Sequence, residues 1–422
     1  MRISGDFPPR RGRPCKWGRV TPPRGERLQD ERYGFCNLPV QNVRRGSGLP
    51  ETSRPSEFLI YPAMGGSLLF LLFAAQLSSP TFFHLFLSWG FLAILWFLKR
   101  IPSFEAPPRR VLFLLLAAFI TLRYWMFRTF DSLLFVSLAD SLGMLILYLA
   151  ETYGILIYFL GMFVSVWPLK RDLAPLPADP ETWPTVDVFI PTYDEAPEIV
   201  LTTAIACTQL DYPREKVHIF ILDDGATGER RNSPDPEKSA AARERYITLR
   251  SIAQSLGVGY LTRERNEHAK AGNLNEALRL GRPSSGETPP AEQRARPGKN
   301  PGPPNGAAED PGELVLVLDC DHVPARDFLK NTVGYFLRDE KLFLVQTPHF
   351  FINPNPVEKN LGTYGSSPGE NEMFYRSILL GLDFWNSSFF CGSAALLRRK
   401  YLEKIGGIQG QTITEDAETA LA

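Results

Sequence analysis

The stretch Leu314–Val323, LVLVLDCDHV, decides the fold. It runs aliphatic and then ends in two carboxylates, Asp319 and Asp321, the pattern of a buried parallel strand whose carboxyl end opens onto a site. If the strand persists, the two side chains share a face; a turn starting there splays them. Either way the pair reaches one ion or one phosphate. Two hard oxygen ligands with positions to spare suit Mg2+ or Mn2+, cations that also hold substrate phosphates. Alone, an Asp-x-Asp after a strand is more often a turn or a helix cap, so its meaning rests on its companions.

Those companions lie upstream. Val186–Ile190 (VDVFI) reads as a strand ending in Thr192, Tyr193, Asp194 and Glu195, and Val217–Leu222 (VHIFIL) as a strand ending in Asp223-Asp224-Gly225. Ile199–Gln209 reads as a helix between them and Ala240–Leu256 as a helix after the second, followed by a short third strand at Gly259–Thr262. Strand and helix in alternation predict a parallel sheet covered on both faces. Ligands bind such sheets at the carboxyl ends of the strands, where Tyr193, Asp223, Asp224, Asp319 and Asp321 all fall. Three acidic strand ends at one edge are hard to explain as turns. Next comes Glu264–Asn273 (ERNEHAKAGN), which places Lys270 among small residues at a helix start, suited to an anion. His268 is read as a structural hydrogen-bonding residue.

Beyond the two-carboxylate strand, the sequence predicts a helix over Ala325–Arg338, a strand over Leu342–Gln346, and a helix from Glu370 to Asp383. Ser388–Ser393 (SFFCGS) precedes a short apolar segment, and Thr412–Asp416 (TITED) ends in an acid placed to act as general base toward an acceptor hydroxyl.

The rest of the chain sets the frame. Among its 422 residues, Lys plus Arg equals Asp plus Glu at 46 each, so bulk charge gives no reason to expect nucleic acid. Five cysteines share no metal-ligand spacing, which argues for reduced thiols and against zinc. Residues 1–57, rich in Arg, Pro and Gly, read as a disordered basic arm. Apolar runs at about 58–78, 82–98, 111–127 and 133–167 predict transmembrane helices; the last is long enough for one emerging helix or two short ones. Lys99, Arg100, Arg109 and Arg110 bracket one loop, and Lys170 and Arg171 follow the last run. That alternation predicts four crossings over 58–170, with the amino terminus and everything after Lys170 in the cytoplasm. Arg123, Asp140 and Glu151 lie within the spans; Arg123 is expected to pair with an acid or snorkel, or all three to line a polar conduit. Residues 281–312, dominated by Pro, Gly, Ser and Glu, read as a disordered insertion dispensable for folding.

In this order, PTYDE, DDG, HAKAGN, DCD, QTPHFF, ENEMFY, FFCGS and TED closely resemble the catalytic subunits of bacterial cellulose synthases. The resemblance covers roughly 58–422 and implies a GT-A (nucleotide-diphospho-sugar transferase) α/β domain, 171–422, behind a bundle of transmembrane helices. It implies a processive, inverting transfer of glucose from UDP-glucose to the 4-hydroxyl of a growing β-1,4-glucan, at the bacterial inner membrane. On it, Thr192, Tyr193 and Glu195 serve the uracil end, Asp223 and Asp224 the nucleoside, and Lys270 the diphosphate. Asp319 and Asp321 hold Mg2+ or Mn2+ and UDP. Phe390, Cys391 and Gly392 stand at the acceptor end with Thr414 and Glu415, and Asp416 is the base. It also implies a membrane-anchored periplasmic accessory subunit, and cyclic di-GMP control only through a carboxy-terminal PilZ domain. The family pattern continues past Asp416 into a Gln-x-x-Arg-Trp motif and further spans, so the 422-residue chain is expected to be an incomplete synthase, inactive alone. The alternatives are a synthase of another β-linked polysaccharide (chitin, hyaluronan or another glucan) and a non-catalytic membrane protein.

Overall fold

The computed structural model describes residues 81–100, 107–133, 135–279, 311–412 and 414–422, all within the unit Ser67–Ala422. The predicted arm over 1–57, the first predicted span and nearly all of the predicted insertion lie outside the described residues.

Three long apolar helices come first: α1 (Thr81–Arg100), α2 (Pro107–Phe130) and α3 (Leu138–Val164). Two stretches, Arg109–Phe130 and Leu138–Val164, are long and apolar enough to cross a membrane, with mean hydropathies of 1.6 and 1.7. The run from 133 to 167 is therefore one helix of 27 residues, about 40 Å long at 1.5 Å per residue. Ser137 caps it by accepting from Asp140 N, so Asp140 belongs to the helix start. Glu151 pairs with Arg128 at 2.7 Å and accepts from Tyr124. Arg123 is buried.

The second layer is a six-stranded sheet in the order β3-β2-β1-β4-β6-β5. β1 (Val186–Thr192) lies at its centre and is buried along its whole length, as a strand covered on both faces must be. It pairs in parallel with β2 (Val217–Asp223) and β4 (Leu314–Val317), and β2 pairs in parallel with β3 (Gly259–Leu261). β6 (Ala395–Arg398) runs antiparallel to both β4 and β5 (Leu344–Gln346). The sheet is mostly parallel with one reversed strand.

Local signals explain the helix bounds. Pro197 opens α4 (Pro197–Thr208). Asp235 accepts from the amides of Glu237 and Lys238 to start α5 (Pro236–Leu256) four residues before the apolar pattern shows, and Gly257, at φ 65°, ends it. α6 (Ala269–Leu278) and α7 (Phe328–Arg338) follow. The predicted helix from Glu370 to Asp383 is a wide π-type turn, Phe374–Ile378, followed by α8 (Leu379–Phe384). This segment seats the sheet domain on the apolar helices. Arg110 donates to Ser165 O and to Ser377 Oγ, Leu169 N donates to Leu380 O, and Phe163 stacks on Trp385 at 4.4 Å. Gly381 allows the approach, because a Cβ there would lie 2.0 Å from Val164 O.

A buried ion pair locks the opposite edge of the sheet. Arg399 is paired with Asp187 and also donates to Gly312 O at 2.6 Å and Leu278 O at 3.1 Å. It thereby joins the start of β1 to residues on both sides of the stretch 280–310. His218 and Gly312 N complete the shell of Asp187. Removing one member leaves a buried charge uncompensated, so Arg399→Met is expected to cost about 3–5 kcal/mol. Equilibrium denaturation measures it; a loss below about 1 kcal/mol, the range of an exposed pair, would show that the pair carries no such weight.

Candidate functional site

Every acidic strand end singled out in the sequence falls at the carboxyl edge of the sheet, in two neighbouring groups. The first surrounds β1 and β2. Asp223 is fully buried, and both of its oxygens are used within the chain: Oδ1 accepts from Arg245 Nε and Gly225 N, each at 2.9 Å, and Oδ2 from the Tyr260 hydroxyl at 2.8 Å. Asp224, also buried, is held in a two-point grip by Arg263 at 2.7 Å per bond. Burial raises the Asp224 carboxyl above its ordinary value despite this arginine. Arg263 then donates to the carbonyls of Glu267 and Ala269, fixing the loop that leads into α6. Arg245 spans the other side, bonding Thr192 Oγ1 at 2.8 Å and Glu195 O. Burial would raise the Glu195 carboxyl, but hydrogen bonds from Tyr193 N and the Thr192 hydroxyl hold it below its ordinary value. Tyr193 and Glu195 of this group are exposed, and Tyr193 is its exposed aromatic side chain.

Gly225 makes this packing possible. A Cβ there would lie 1.8 Å from Tyr193 O and 2.5 Å from Arg245 Nε. Gly225→Ala is expected to displace Arg245 and the Tyr193 backbone and to lower the melting temperature; an unchanged melting temperature in that variant would contradict this.

The second group surrounds the end of β4. β4 ends at Val317, so Asp319 and Asp321 lie on the turn after it. One oxygen or nitrogen from each of Asp319, Asp321 and His322 lies within 4.8 Å of the others. Ser393 braces this turn: its hydroxyl accepts from Asp319 N at 2.8 Å and contacts His322 Nδ1 at 2.6 Å. Lys270, in the first turn of α6, pairs with Asp319 and donates to Gly392 O at 2.9 Å. The sharp entry to that helix puts His268 and Ala269 at positive φ, 57° and 41°.

Gly392, at φ 78°, is the meeting point of three motifs. A Cβ built on it lies 3.3 Å from Asp416 Oδ2 and 3.8 Å from Lys270 Nζ. Asp416 sits in the first turn of α9 (Glu415–Leu421), where its Oδ1 accepts from Ala417 N. Thr414 immediately precedes that helix and is exposed; Glu415 is half-buried, and its carbonyl accepts from Thr419 Oγ1. Cys391 N donates to Gln346 Oε1, and burial followed by the nearby Asp416 charge pushes its thiol up to about 12. Phe390 is fully buried in the core between the sheet and α6.

Several participants carry no sequence signal of their own. Arg245 lies in an ordinary helix, and Tyr260 in a three-residue strand. Ser393 and His322 stand inside quoted motifs, but their contact spans 71 residues. His349 reaches the Tyr375 hydroxyl at 2.6 Å, and burial together with neighbouring His322 lowers it to about 4. These links appear only when distant motifs meet.

Residues 314–422 match the model of glycosyl transferase family group 2. The cellulose synthase catalytic subunit (UDP-forming) of Pseudomonas fluorescens is 40% identical over 337 residues, which are 80% of this chain and 39% of that protein. The subunit of the same name from Xanthomonas axonopodis pv. citri is 41% identical over 262 residues, 62% of this chain and 29% of that protein. The chain thus spans less than half the length of the curated relatives it matches. Among solved structures, a mannosyltransferase from Pyrobaculum calidifontis in complex with GDP-Man and Mn2+ aligns at 22% identity and a TM-score of 0.35, covering 64% of this chain and 59% of that one. The mostly parallel sheet is a GT-A-like glycosyltransferase fold. The chain is a homologue of the UDP-forming cellulose synthase catalytic subunits, and its residues 314–422 belong to glycosyl transferase family group 2.

Proposed function

We propose that this chain carries the catalytic chemistry of a cellulose synthase catalytic subunit, transferring glucose from UDP-glucose to the 4-hydroxyl of a β-1,4-glucan. The observation that carries the reading is the convergence of Lys270, Asp319, Gly392 and Asp416 within a few ångströms at one sheet edge. A cationic group for a leaving diphosphate then stands beside a carboxylate for an incoming hydroxyl.

The donor set fits a divalent cation. Asp319 and Asp321 offer hard oxygens, and His322 adds a nitrogen that Mn2+ accepts more readily than Mg2+. The Lys270 ammonium paired with Asp319 shows that this edge already attracts positive charge. When bound, Mg2+ or Mn2+ supplies charge that stabilises the leaving diphosphate. The chain's own residues do the rest. Lys270 neutralises phosphate oxygens. Asp416 takes the proton of the acceptor 4-hydroxyl as its oxygen bonds to the anomeric carbon and the bond to UDP breaks. A single displacement inverts that centre, giving a β-linkage from an α-linked donor, with no covalent intermediate on the protein. Asp223 and Asp224 act at the nucleoside end through the arginines they hold, and Thr192, Tyr193 and Glu195 line the base.

In the same reading, α1, α2 and α3 join the run at 58–78 as four spans of a multi-pass inner-membrane protein, with the sheet domain in the cytoplasm. The basic residues at alternate loops support it, as does the docking of Ser377 and Trp385 on the ends of α2 and α3. The test is a sugar-nucleotide competition in membranes carrying the chain completed by the remaining length of its Pseudomonas fluorescens relative. UDP-glucose is expected to be incorporated and to outcompete UDP-N-acetylglucosamine and UDP-glucuronate; preference for either of the latter would change the polymer assigned.

A further inference from the structure

We infer that Arg230 reads the nucleobase, selecting uracil over cytosine beside Tyr193. The inference rests on the nucleotide site proposed above and deepens it.

Two adjacent arginines follow the Asp223-Asp224-Gly225 turn, and they part company. Arg231 lies over the Tyr246 ring at 4.4 Å, against the same helix that carries Arg245. Arg230 goes to the other side, with its guanidinium carbon 4.7 Å from the centroid of the Tyr193 ring and Nη1 2.9 Å from Asp194 Oδ1. Tyr193 is the exposed aromatic of the nucleoside group, so Arg230 marks the rim where a planar base would lie.

Its placement is built from behind. Gly228 N donates to Arg263 O at 3.0 Å and Glu229 N to Glu264 O at 2.9 Å, and the Thr227 hydroxyl accepts from Arg230 N. The backbone of Arg230 is therefore anchored to the loop whose Arg263 grips Asp224. Gly228 permits this contact, because a Cβ there would lie 2.1 Å from the Glu264 carboxylate. Among the described residues, Nη1 is the guanidinium nitrogen with a partner, which leaves Nε and Nη2 as donors.

Donors without acceptors discriminate between pyrimidines. Uracil offers a carbonyl at position 4 where cytosine offers an amino group, itself a donor. A guanidinium fork at the base edge favours the first and repels the second. Tyr193 would then supply the stacking face and Arg230 the edge.

The test is calorimetric titration of the solubilised chain with UDP, CDP and inorganic pyrophosphate in the presence of Mn2+. R230A is expected to lower the UDP-to-CDP affinity ratio by about tenfold, within the range of one good base contact, with pyrophosphate affinity and melting temperature unchanged. R230Q, which can still bond Asp194 but presents an acceptor as well as donors, is expected to lose the preference too. An unchanged ratio in either variant, or a parallel fall in pyrophosphate affinity, would overturn the role. If the wild-type chain binds UDP no better than pyrophosphate, both this inference and the nucleotide site fall; if it binds UDP well but the ratio survives R230A, only the inference does.

Discussion

Asp416→Asn is expected to slow glucosyl transfer by about 10²–10⁴-fold, the contribution of a positioned general base, while leaving UDP affinity unchanged. Asparagine keeps the shape of the side chain and the oxygen that accepts from Ala417 N, so the start of α9 survives. What it loses is the ability to take a proton. The Asp416 carboxylate lies beside Gly392 and hence beside Lys270, and it accepts from Ala417 N rather than from the residues around Asp223 and Asp224. Binding and chemistry should therefore separate. The measurement is incorporation of labelled glucose by the completed chimera, set against UDP titration of the same variant. Transfer within about tenfold of wild type, too small a loss for a general base, would remove Asp416 from the chemistry.

Asp319→Asn combined with Asp321→Asn is expected to weaken Mn2+-dependent UDP binding by about 100-fold or more, since a metal-bridged phosphate is worth several kcal/mol. Both changes are isosteric, and Asp319 N keeps its bond to Ser393 because that donor is backbone. Lys270 loses a charged partner yet still bonds Gly392 O. Electron paramagnetic titration of Mn2+ in the presence of UDP reads the effect directly. An unaltered Mn2+ affinity in the double variant would place the metal elsewhere.

The central sheet was readable because its strands are buried on both faces. LVLVL is a continuous aliphatic run and VDVFI and VHIFIL are apolar apart from one polar residue each, Asp187 and His218, and each run breaks where polar residues mark the open edge. The reversal of β6 was not readable: Ala395–Arg398 carries no directional signal, and its pairing with β4 depends on the path of residues 318–394 between them. The helix ends shifted where caps lie outside the apolar pattern, as Asp235 and Pro236 show. At the site, the acids were visible as types, but their partners were not. Asp223 and Asp224 look alike in sequence. One is closed by Arg245 and Tyr260, the other is gripped by Arg263, and only the fold brings those residues to them. Phe390 shows the converse, a motif residue that the packing turns into the core.

The most direct test of the account is calorimetric titration of UDP into the solubilised chain with and without Mn2+. Saturable binding that requires the cation is the result expected from Asp319, Asp321 and Lys270 at one edge. No binding under either condition, or binding indifferent to the cation, would contradict it.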